Sequence, residues 1–270
     1  IRDRGSTVTS MLRRALAVCL LLPLPISAQE SPRETSTRYG LTLGVGLHQA
    51  RDQVLNPIRH QGLSLLAGLF RVGESATTLH RVRVSFAFTP MTDRYSPDRA
   101  SMVFHPSVDF RFARRVGDLG DRTALYLGGS TGWETRFAFY ENWDVGHGYW
   151  LTSAYLGFAG ILARDLTGGG SLRLELELPL VAAVSRPPER FEYKEANGEL
   201  GWVLSQIHQD MRITSVHQHL RPTLTLAYHR SGGGFLARRL FWETELVSTR
   251  LPGSMPFTSM RHTLGISNPF

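Results

Sequence analysis

The chain has 270 residues, a formal net charge of +7 and a hydrophobic fraction of 42%. Its single cysteine, Cys19, lies in an apolar N-terminal stretch, so no disulfide framework, thiolate metal site or catalytic cysteine is expected in the rest of the chain. No run of about 20 apolar residues follows that stretch, so we expect no transmembrane helix. The positive charge is nearly all arginine and is spread along the chain, which argues against a nucleic-acid partner.

The N-terminal region predicts a secretory signal peptide over residues 11–28. A short basic start is followed by an apolar run that ends on the small residue Ala28, where we expect cleavage. We interpret residues 1–10 as an upstream extension or artefact. Residues 29–37 are then a short periplasmic segment that precedes the first strand of an exported protein.

Alternation of apolar and polar residues dominates the remaining chain. Leucine occupies every second position of residues 171–180, mostly with charged residues between. A period of two places the leucines on one face of a β-strand and the charges on the other. Ten such stretches are predicted as strands: residues 38–48, 61–71, 81–88, 107–112, 123–130, 151–162, 171–180, 216–229, 239–247 and 260–270. About ten residues is the length that a tilted strand needs to cross a membrane.

The connections between these strands alternate in length. Four are short and rich in Gly, Asp or Ser. The mostly longer ones are residues 49–60, 89–101, 131–150, 181–215 and 248–257. Short turns at one end and long loops at the other are typical of transmembrane barrels. In lipid every backbone N–H and C=O must be paired within the sheet, so the sheet must close. We therefore predict an all-β fold, a closed antiparallel up-and-down transmembrane β-barrel of about ten strands over residues 38–270.

The last predicted strand ends on an aromatic residue, Phe270. The even-numbered residues from Met260 onward are mostly apolar, with His262 and Asn268 as interruptions. This strand resembles the final strand of Gram-negative outer-membrane β-barrel proteins as a class, with no single family matched. The resemblance implies a monomer in the outer membrane, in contact with its lipid and lipopolysaccharide. It also implies that the barrel-assembly machinery reads Phe270 as part of its signal.

The parity of each strand assigns its two faces. We expect these side chains to face lipid: Leu41, Leu43, Val45, Val82, Val84, Phe86, Phe110, Leu172, Leu174, Leu176, Leu178, Leu224, Leu226, Trp242, Leu264 and Ile266. We expect a charge network in the lumen made of Arg81, Arg83, Asp109, Arg111, Arg173, Glu175, Glu177, His217, His219, Arg221, Arg239, Glu243 and Glu245. A ten-stranded barrel is narrow, and buried charges persist mainly when paired, so salt bridges that fill the lumen are the preferred interpretation. A small pore or a polar ligand site is the alternative.

Two residue pairs are candidates for chemistry. His208 and Asp210 resemble the His–Asp pair of the omptins, which are ten-stranded outer-membrane proteases, but their order is reversed and no close aspartate pair accompanies them. Catalysis needs such groups within hydrogen-bond reach, so we commit to no catalytic residue. His217 and His219 share a face and are of a type that binds Zn²⁺ or Cu²⁺, but the sequence specifies no third ligand. We therefore expect neither a metal nor a cofactor.

The leading functional prediction is a non-enzymatic structural or surface barrel, with a narrow charged pore as one form of it. Two alternatives stay open. One is an outer-membrane enzyme, either an omptin-like protease or a lipid-modifying hydrolase. The other is a soluble periplasmic barrel that holds a small apolar ligand inside its leucine face. The direction of the face that carries Val84, Phe86 and Leu174 separates the soluble barrel from the membrane proteins.

Overall fold

Thirteen β-strand segments make up the part of the chain that the structure describes. The computed structural model describes residues 36–53, 56–93, 101–140, 147–167, 169–187, 191–192, 210–230 and 239–269. The segments are β1 (Ser36–Asp52), β2 (Asn56–Glu74), β3 (Thr78–Asp93), β4 (Ser101–Asp118), β5 (Thr123–Tyr140), β6 (His147–Asp165), β7 (Gly170–Ser185), β8 (Phe191–Glu192), β9 (Arg212–Ser215), β10 (His219–Leu220), β11 (Thr223–Arg230), β12 (Arg239–Thr249) and β13 (Phe257–Pro269). Among these residues no helix has the length and apolar character needed to cross a membrane.

Backbone pairing closes the segments into a barrel. The strands β1 to β7 pair antiparallel in chain order, β8 pairs with the end of β6, and β13 pairs with β1 in a register that runs from Gly40–Pro269 to Asp52–Phe257. Between β7 and β12, the short segments β9, β10 and β11 form one interrupted strand with a turn at residues 216–218. The predicted closed antiparallel barrel of ten strands is confirmed.

The strands are longer than predicted. Strands β1 to β7 have 16–19 residues, whereas a tilted strand needs about 9–11 to cross a membrane. Strand therefore replaces much of the predicted loops, and the connections shrink to residues 53–55, 94–100, 141–146, 186–211 and 250–256. The prediction of long loops is wrong for four of these five, because the strands continue past the point where their outer face stops being apolar.

The two ends of the barrel differ in their connections. The tight turns at residues 75–77, 119–122 and 166–169 share one end with Ser36 and Pro269, and we call it the short-turn end. Gly120 and Gly169 have φ values of 84° and 77° in two of these turns, a conformation that favours glycine. The opposite end carries the connection 186–211, and we call it the long-loop end.

The outer face carries a band of exposed apolar side chains, here called the belt. Leu43 and Leu264 pair across β1 and β13 with their neighbours, and each is 55% exposed despite being leucine. The residues predicted to face lipid all lie on this outer face, with Val82, Leu178 and Leu224 half-buried: Leu41, Leu43, Val45, Val82, Val84, Phe86, Phe110, Leu172, Leu174, Leu176, Leu178, Leu224, Leu226, Trp242, Leu264 and Ile266. An apolar band around a closed barrel is typical of membrane insertion, and its leucines face away from the lumen, which is the opposite of what the soluble alternative requires.

Aromatic side chains gather on the outer face of β3, β4 and β5, on the long-loop side of the belt. The ring of Phe104 lies 5.2 Å from that of Phe88 and 6.0 Å from that of Phe139, measured between centroids. Phe137 and Phe139 are 4.5 Å apart by the same measure. Such a girdle is typical of the level at which a membrane barrel meets the lipid headgroups.

Beyond the belt, towards the long-loop end, the polarity of the two faces reverses. We call this part of the barrel the projecting segment. Its outward positions include Gln49 and Arg51 on β1 and Arg59 and Gln61 on β2, all polar and mostly exposed. Its interior is an apolar cluster that includes Ala50, Met91, Val103, Ala138, Tyr149, Leu151, Val184, Val247 and Phe257. The projecting segment is therefore built like a water-soluble barrel.

Candidate functional site

The lumen inside the belt holds two clusters of charged and polar side chains. The lower cluster, nearer the short-turn end, consists of Arg81, Arg83, Asp109, Arg111, Tyr155, Glu175, Glu177, Arg239 and Glu243. The upper cluster, nearer the projecting segment, consists of His105, Glu134, Arg136, Arg221, Glu245 and Arg261. Nearly all of these side chains are buried, because the inward positions of long strands meet across a narrow ring.

Arginine forks cross the lumen in the lower cluster. Arg83 on β3 donates from Nε to Asp109 at 3.2 Å and from Nη1 to Glu243 on β12 at 2.8 Å. Arg111 on β4 donates from Nη1 to Glu175 and from Nη2 to Glu177, both at 2.6 Å on β7. Forked charge-assisted bonds of this kind are strong and geometrically specific. Apart from the Arg83–Asp109 pair, which joins the adjacent strands β3 and β4, they tie together strands that are three or four positions apart around the ring.

Glu175 and Tyr155 complete the lower cluster. Glu175 accepts from three arginines, with Arg81 at 3.1 Å and Arg239 at 3.2 Å in addition to Arg111. The hydroxyl of Tyr155 lies 2.8 Å from Asp109 Oδ1 and 2.6 Å from Glu177 Oε1. Because a hydroxyl has one proton, it donates to only one of these two carboxylates at a time. Four arginines face four carboxylates, so the lower cluster is close to neutral.

The upper cluster has a surplus of positive charge. Arg221 approaches Glu134 at 3.0 Å, and Arg261 approaches Glu245 at 3.0 Å. Arg136 contacts both carboxylates and also donates to the hydroxyl of Ser259 at 3.0 Å. Three guanidinium groups therefore share two carboxylates. Arg221 also lies 4.9 Å from the centre of the Tyr155 ring, which joins the upper cluster to the lower one.

His105 is held between a cation and an anion of the upper cluster. Arg261 Nη1 lies 2.8 Å from His105 Nδ1, and His105 Nε2 lies 2.8 Å from Glu134 Oε2. A guanidinium can only donate, so Nδ1 is the acceptor and Nε2 carries the proton that His105 donates to Glu134. The neutral imidazole of His105 therefore links Arg261 to Glu134 through two hydrogen bonds.

The structure places most of the predicted lumen residues together, with one exception. The residues Arg81, Arg83, Asp109, Arg111, Arg173, Glu175, Glu177, His219, Arg221, Arg239, Glu243 and Glu245 point inward. His217 is exposed instead, because the strand is broken at residues 216–218 and its alternation stops there. His219 is buried and lies 2.9 Å from the Thr249 hydroxyl through Nδ1. The two histidines therefore do not form a metal pair.

Sequence reasoning missed four members of the upper cluster. Glu134 and Arg136 fall in a stretch predicted as loop, and His105 precedes the predicted start of its strand. Arg261 lies in the last predicted strand but was not included in the network. A usable signal was present in residues 133–140, where Trp133, Phe137 and Phe139 alternate with Glu134, Arg136 and Ala138.

Three potential metal ligands meet in the upper cluster. Ligand atoms of His105, Glu134 and Glu245 lie within 4.8 Å of one another. The guanidinium groups of Arg136, Arg221 and Arg261 already occupy these carboxylates, and their positive charge opposes a further cation. The donor set is that of an ion-pair cluster rather than of a metal centre.

Among the described residues, the hydroxyl of Ser259 lies 2.8 Å from His48 Nε2, but both side chains are buried and Arg136 donates to the same hydroxyl. His48 Nδ1 contacts the hydroxyl of Thr89 at 3.3 Å rather than a carboxylate, so the pair lacks the third group of a catalytic triad.

Asp210 is exposed with a φ of 52°, whereas His208 lies outside the described residues, as does Phe270. Ser153 is buried next to the upper cluster, but its hydroxyl donates to Glu134 Oε1 at 3.3 Å rather than to a histidine. A serine that donates to a carboxylate shared with arginines is not activated as a nucleophile.

Comparisons with known proteins find similar folds at low similarity. No family model matches the chain, and no curated protein matches it. The outer-membrane protease OmpT from Escherichia coli has a TM-score of 0.49 and 6% identity, covering 91% of this chain and 99% of its own. The translocator domain of the autotransporter NalP from Neisseria meningitidis has a TM-score of 0.35 and 10% identity, with 96% and 95% covered.

An outer-membrane channel from Pseudomonas putida F1 has a TM-score of 0.36 and 7% identity, covering 92% of this chain and 100% of its own. These solved structures are outer-membrane β-barrels. Similarity this low says nothing about activity or site residues. The functional argument therefore rests on the belt and on the contacts in the lumen.

Proposed function

We propose that this chain is a non-enzymatic outer-membrane β-barrel with a sealed lumen, which serves as a structural or surface protein. The belt supports membrane insertion, because water disfavours so wide a band of exposed apolar side chains. The signal-peptide pattern of residues 11–28 supports export in a Gram-negative cell. In this proposal the short-turn end faces the periplasm and the projecting segment stands outside the membrane.

The observation that carries the sealed lumen is the set of ion pairs that cross it. Arg83 and Glu243 join β3 to β12, which are four positions apart in a ring of ten strands. Arg136 and Glu245 join β5 to β12 in the same way, one layer closer to the long-loop end. These two layers of crossing pairs support a lumen that is closed to ions.

The apolar interior of the projecting segment adds a third layer to the seal. Arg186 pairs with Asp52 at 2.6 Å above it, and its guanidinium lies 5.3 Å from the centre of the Tyr149 ring. Tyr149 in turn stacks on Phe257 inside the barrel. Ion permeation would have to cross this apolar layer as well as both charge clusters, so a narrow pore is less favoured than a closed barrel.

The assembly partner is part of the same proposal. A C-terminal aromatic residue, Phe270, is the feature that the barrel-assembly machinery reads in the class that this strand resembles. Lipid and lipopolysaccharide would surround the belt, and a monomer suffices because the ring closes on itself.

A fractionation and conductance experiment tests this function. The full chain is expressed in a Gram-negative host, and outer membranes are run on gels with and without boiling. We expect an outer-membrane band whose mobility shifts on boiling. The purified protein in planar bilayers should give no stable conductance steps. Recovery in the soluble periplasm without a shift would refute membrane insertion, and regular conductance steps of the wild type would refute the seal.

A loosened variant keeps the conductance test informative. Replacing Arg83 and Arg111 together by alanine removes the forks of the lower cluster, so conductance should rise above that of the wild type. Arg115→Ala is the matched control, because this arginine pairs with Asp118 on the exposed end of β4. The control should remain silent in the same bilayers.

A further inference from the structure

A cavity opens at the short-turn end of the barrel, directly below the lower cluster. Its volume is about 700 Å³, with Ser36, Leu166 and Pro269 at its rim and Arg83 and Arg111 at its floor. This volume lies within the range of about 300–1,000 Å³ that is usual for small-molecule sites. The lower cluster forms the inner end of the cavity, and the proposed function assigns no role to the open space in front of it.

The charged side chains that line the cavity are mostly positive. Seven arginines face three carboxylates: Arg38, Arg81, Arg83, Arg111, Arg173, Arg230 and Arg239 against Glu74, Asp165 and Glu175. Arg83 and Arg111 are largely neutralised from behind, by Asp109, Glu243 and Glu177 of the lower cluster. The remaining five arginines still outnumber the three carboxylates, so the cavity attracts anions.

Three of these arginines, Arg81, Arg173 and Arg239, have more N–H donors than their ion pairs use. Within the described residues, Arg81 and Arg239 each have Glu175 as their ion-pair partner, and Arg111 draws on the same carboxylate. Arg173 has Glu74, at 2.7 Å. Each guanidinium offers five N–H donors, and these single contacts leave most of them unused. A ligand with several acceptor oxygens would satisfy them.

One wall of the cavity is apolar. Phe70 and Val72 on β2 and Leu79 on β3 line it on the side away from Arg173 and Arg239. An inorganic anion would leave this wall in contact with water. A ligand with an anionic end and a hydrocarbon portion would use both walls, because burial of apolar surface contributes about 25 cal/mol per Å².

We propose that this cavity binds a small organic phosphate, held at its anionic end by Arg81, Arg173 and Arg239 and at its hydrocarbon end by Phe70 and Leu79. Guanidinium groups recognise both carboxylate and phosphate oxygens in forked geometry. The convergence of three of them favours the more highly charged phosphate monoester. The binding itself does not depend on the sealed lumen, whereas the compartment that supplies the ligand rests on the proposed membrane orientation.

Calorimetric titration of the purified, heat-modifiable protein in detergent tests the proposal. Phenyl phosphate, inorganic phosphate and phenol are the three probes. We expect phenyl phosphate to bind at least about tenfold more tightly than either inorganic phosphate or phenol, with an affinity that falls as salt is added. Equal affinity for phenyl phosphate and phenol would overturn the anion site. Equal affinity for phenyl phosphate and inorganic phosphate would overturn its organic part.

Two variants and a control locate the site. Arg81→Gln removes a donor, and Ser171→Asp adds a carboxylate to the wall without removing any ion pair. Each should weaken phenyl phosphate by about tenfold, the value of one charge-assisted hydrogen bond. Arg115→Gln, at the same end but outside the cavity, should bind as the wild type does. Wild-type affinity of a heat-modifiable Ser171→Asp protein would refute the assignment.

Failure of this proposal is distinguishable from failure of the proposed function. A barrel that fractionates with the outer membrane and stays silent in bilayers, yet does not bind phenyl phosphate, contradicts the cavity assignment alone. A protein that binds phenyl phosphate in the manner described but conducts ions contradicts the sealed lumen alone.

Discussion

The belt and the projecting segment use the same strands with opposite arrangements of polar and apolar residues. In the belt, Leu174 and Leu176 face outward while Glu175 lies in a charge cluster inside. In the projecting segment, Arg51 faces outward while Val247 is buried in an apolar core. The reversal occurs within single strands such as β1, where the outward face runs from Leu47 to Gln49. The solvent outside the wall, lipid or water, decides which arrangement is stable.

The comparison also separates two ways of filling a lumen. In the belt, the outward side chains are apolar against lipid, and the inward side chains that fill the lumen are charged. Buried ion pairs are costly to desolvate, so they require close geometry and mutual saturation. The interior of the projecting segment needs neither close ion-pair geometry nor mutual saturation of charges, because apolar packing stabilises it as it does any soluble core. Mutations should therefore have different effects at the two levels.

Loss of a carboxylate in the upper cluster should have the largest effect. Glu245→Gln leaves Arg136, Arg221 and Arg261 with Glu134 as their remaining carboxylate, and breaking a buried pair costs about 3–5 kcal/mol. The urea midpoint of the heat-modifiability shift measures this loss. Glu74→Gln is the matched variant at the rim of the cavity, where a more exposed pair contributes about 1 kcal/mol or less. Equal losses for the two variants would show that the upper cluster is not a buried network.

A charge placed on the outer face should give the second-largest difference in stability between the belt and the projecting segment. Leu174→Arg places a cation in the belt, where about 2–4 kcal/mol of destabilisation is expected near the middle of the bilayer. Ile213→Arg makes a similar change on β9 in the projecting segment, where Ile213 is 81% exposed and water is the expected solvent. We expect no measurable change in stability there. If both variants fail to reach the outer membrane, the belt extends further than its apolar residues indicate.

Replacing an inward valine by threonine in the projecting segment, and an inward threonine by valine in the belt, should give the smallest difference in stability between the two levels. Val247→Thr buries a hydroxyl in the apolar core of the projecting segment, where an unsatisfied polar group costs about 1–3 kcal/mol. Thr225→Val removes a hydroxyl that lies 3.4 Å from Glu243, whose partner Arg83 remains, so its cost should be below about 1 kcal/mol. The same urea titration measures both. A larger loss for Thr225→Val would contradict the contrast between the interiors.

Most of the barrel could be predicted from the sequence where one face of a strand meets lipid. Residues 81–88 alternate cleanly, and β3 covers them in full. The ends of the strands were not predicted where the outer face becomes polar. There the outward residues resemble those of loops, so the alternation of polar and apolar residues is hard to recognise. Residues 131–140 of β5 were missed for another reason: their outer face stays aromatic, but the alternation of Trp133 and Phe137 with Glu134 and Arg136 was not recognised and the stretch was predicted as loop.

The sequence by itself determined the ten strands, the apolar face of each and most of the charges that turn inward, because a period of two is a local property of an extended chain. Only the tertiary structure decided which charges meet. Arg83 and Glu243 are 160 residues apart and become partners through ring closure and register. The same closure set the two cluster layers and left the arginine-lined cavity at the short-turn end, since both depend on how far neighbouring strands are staggered around the ring.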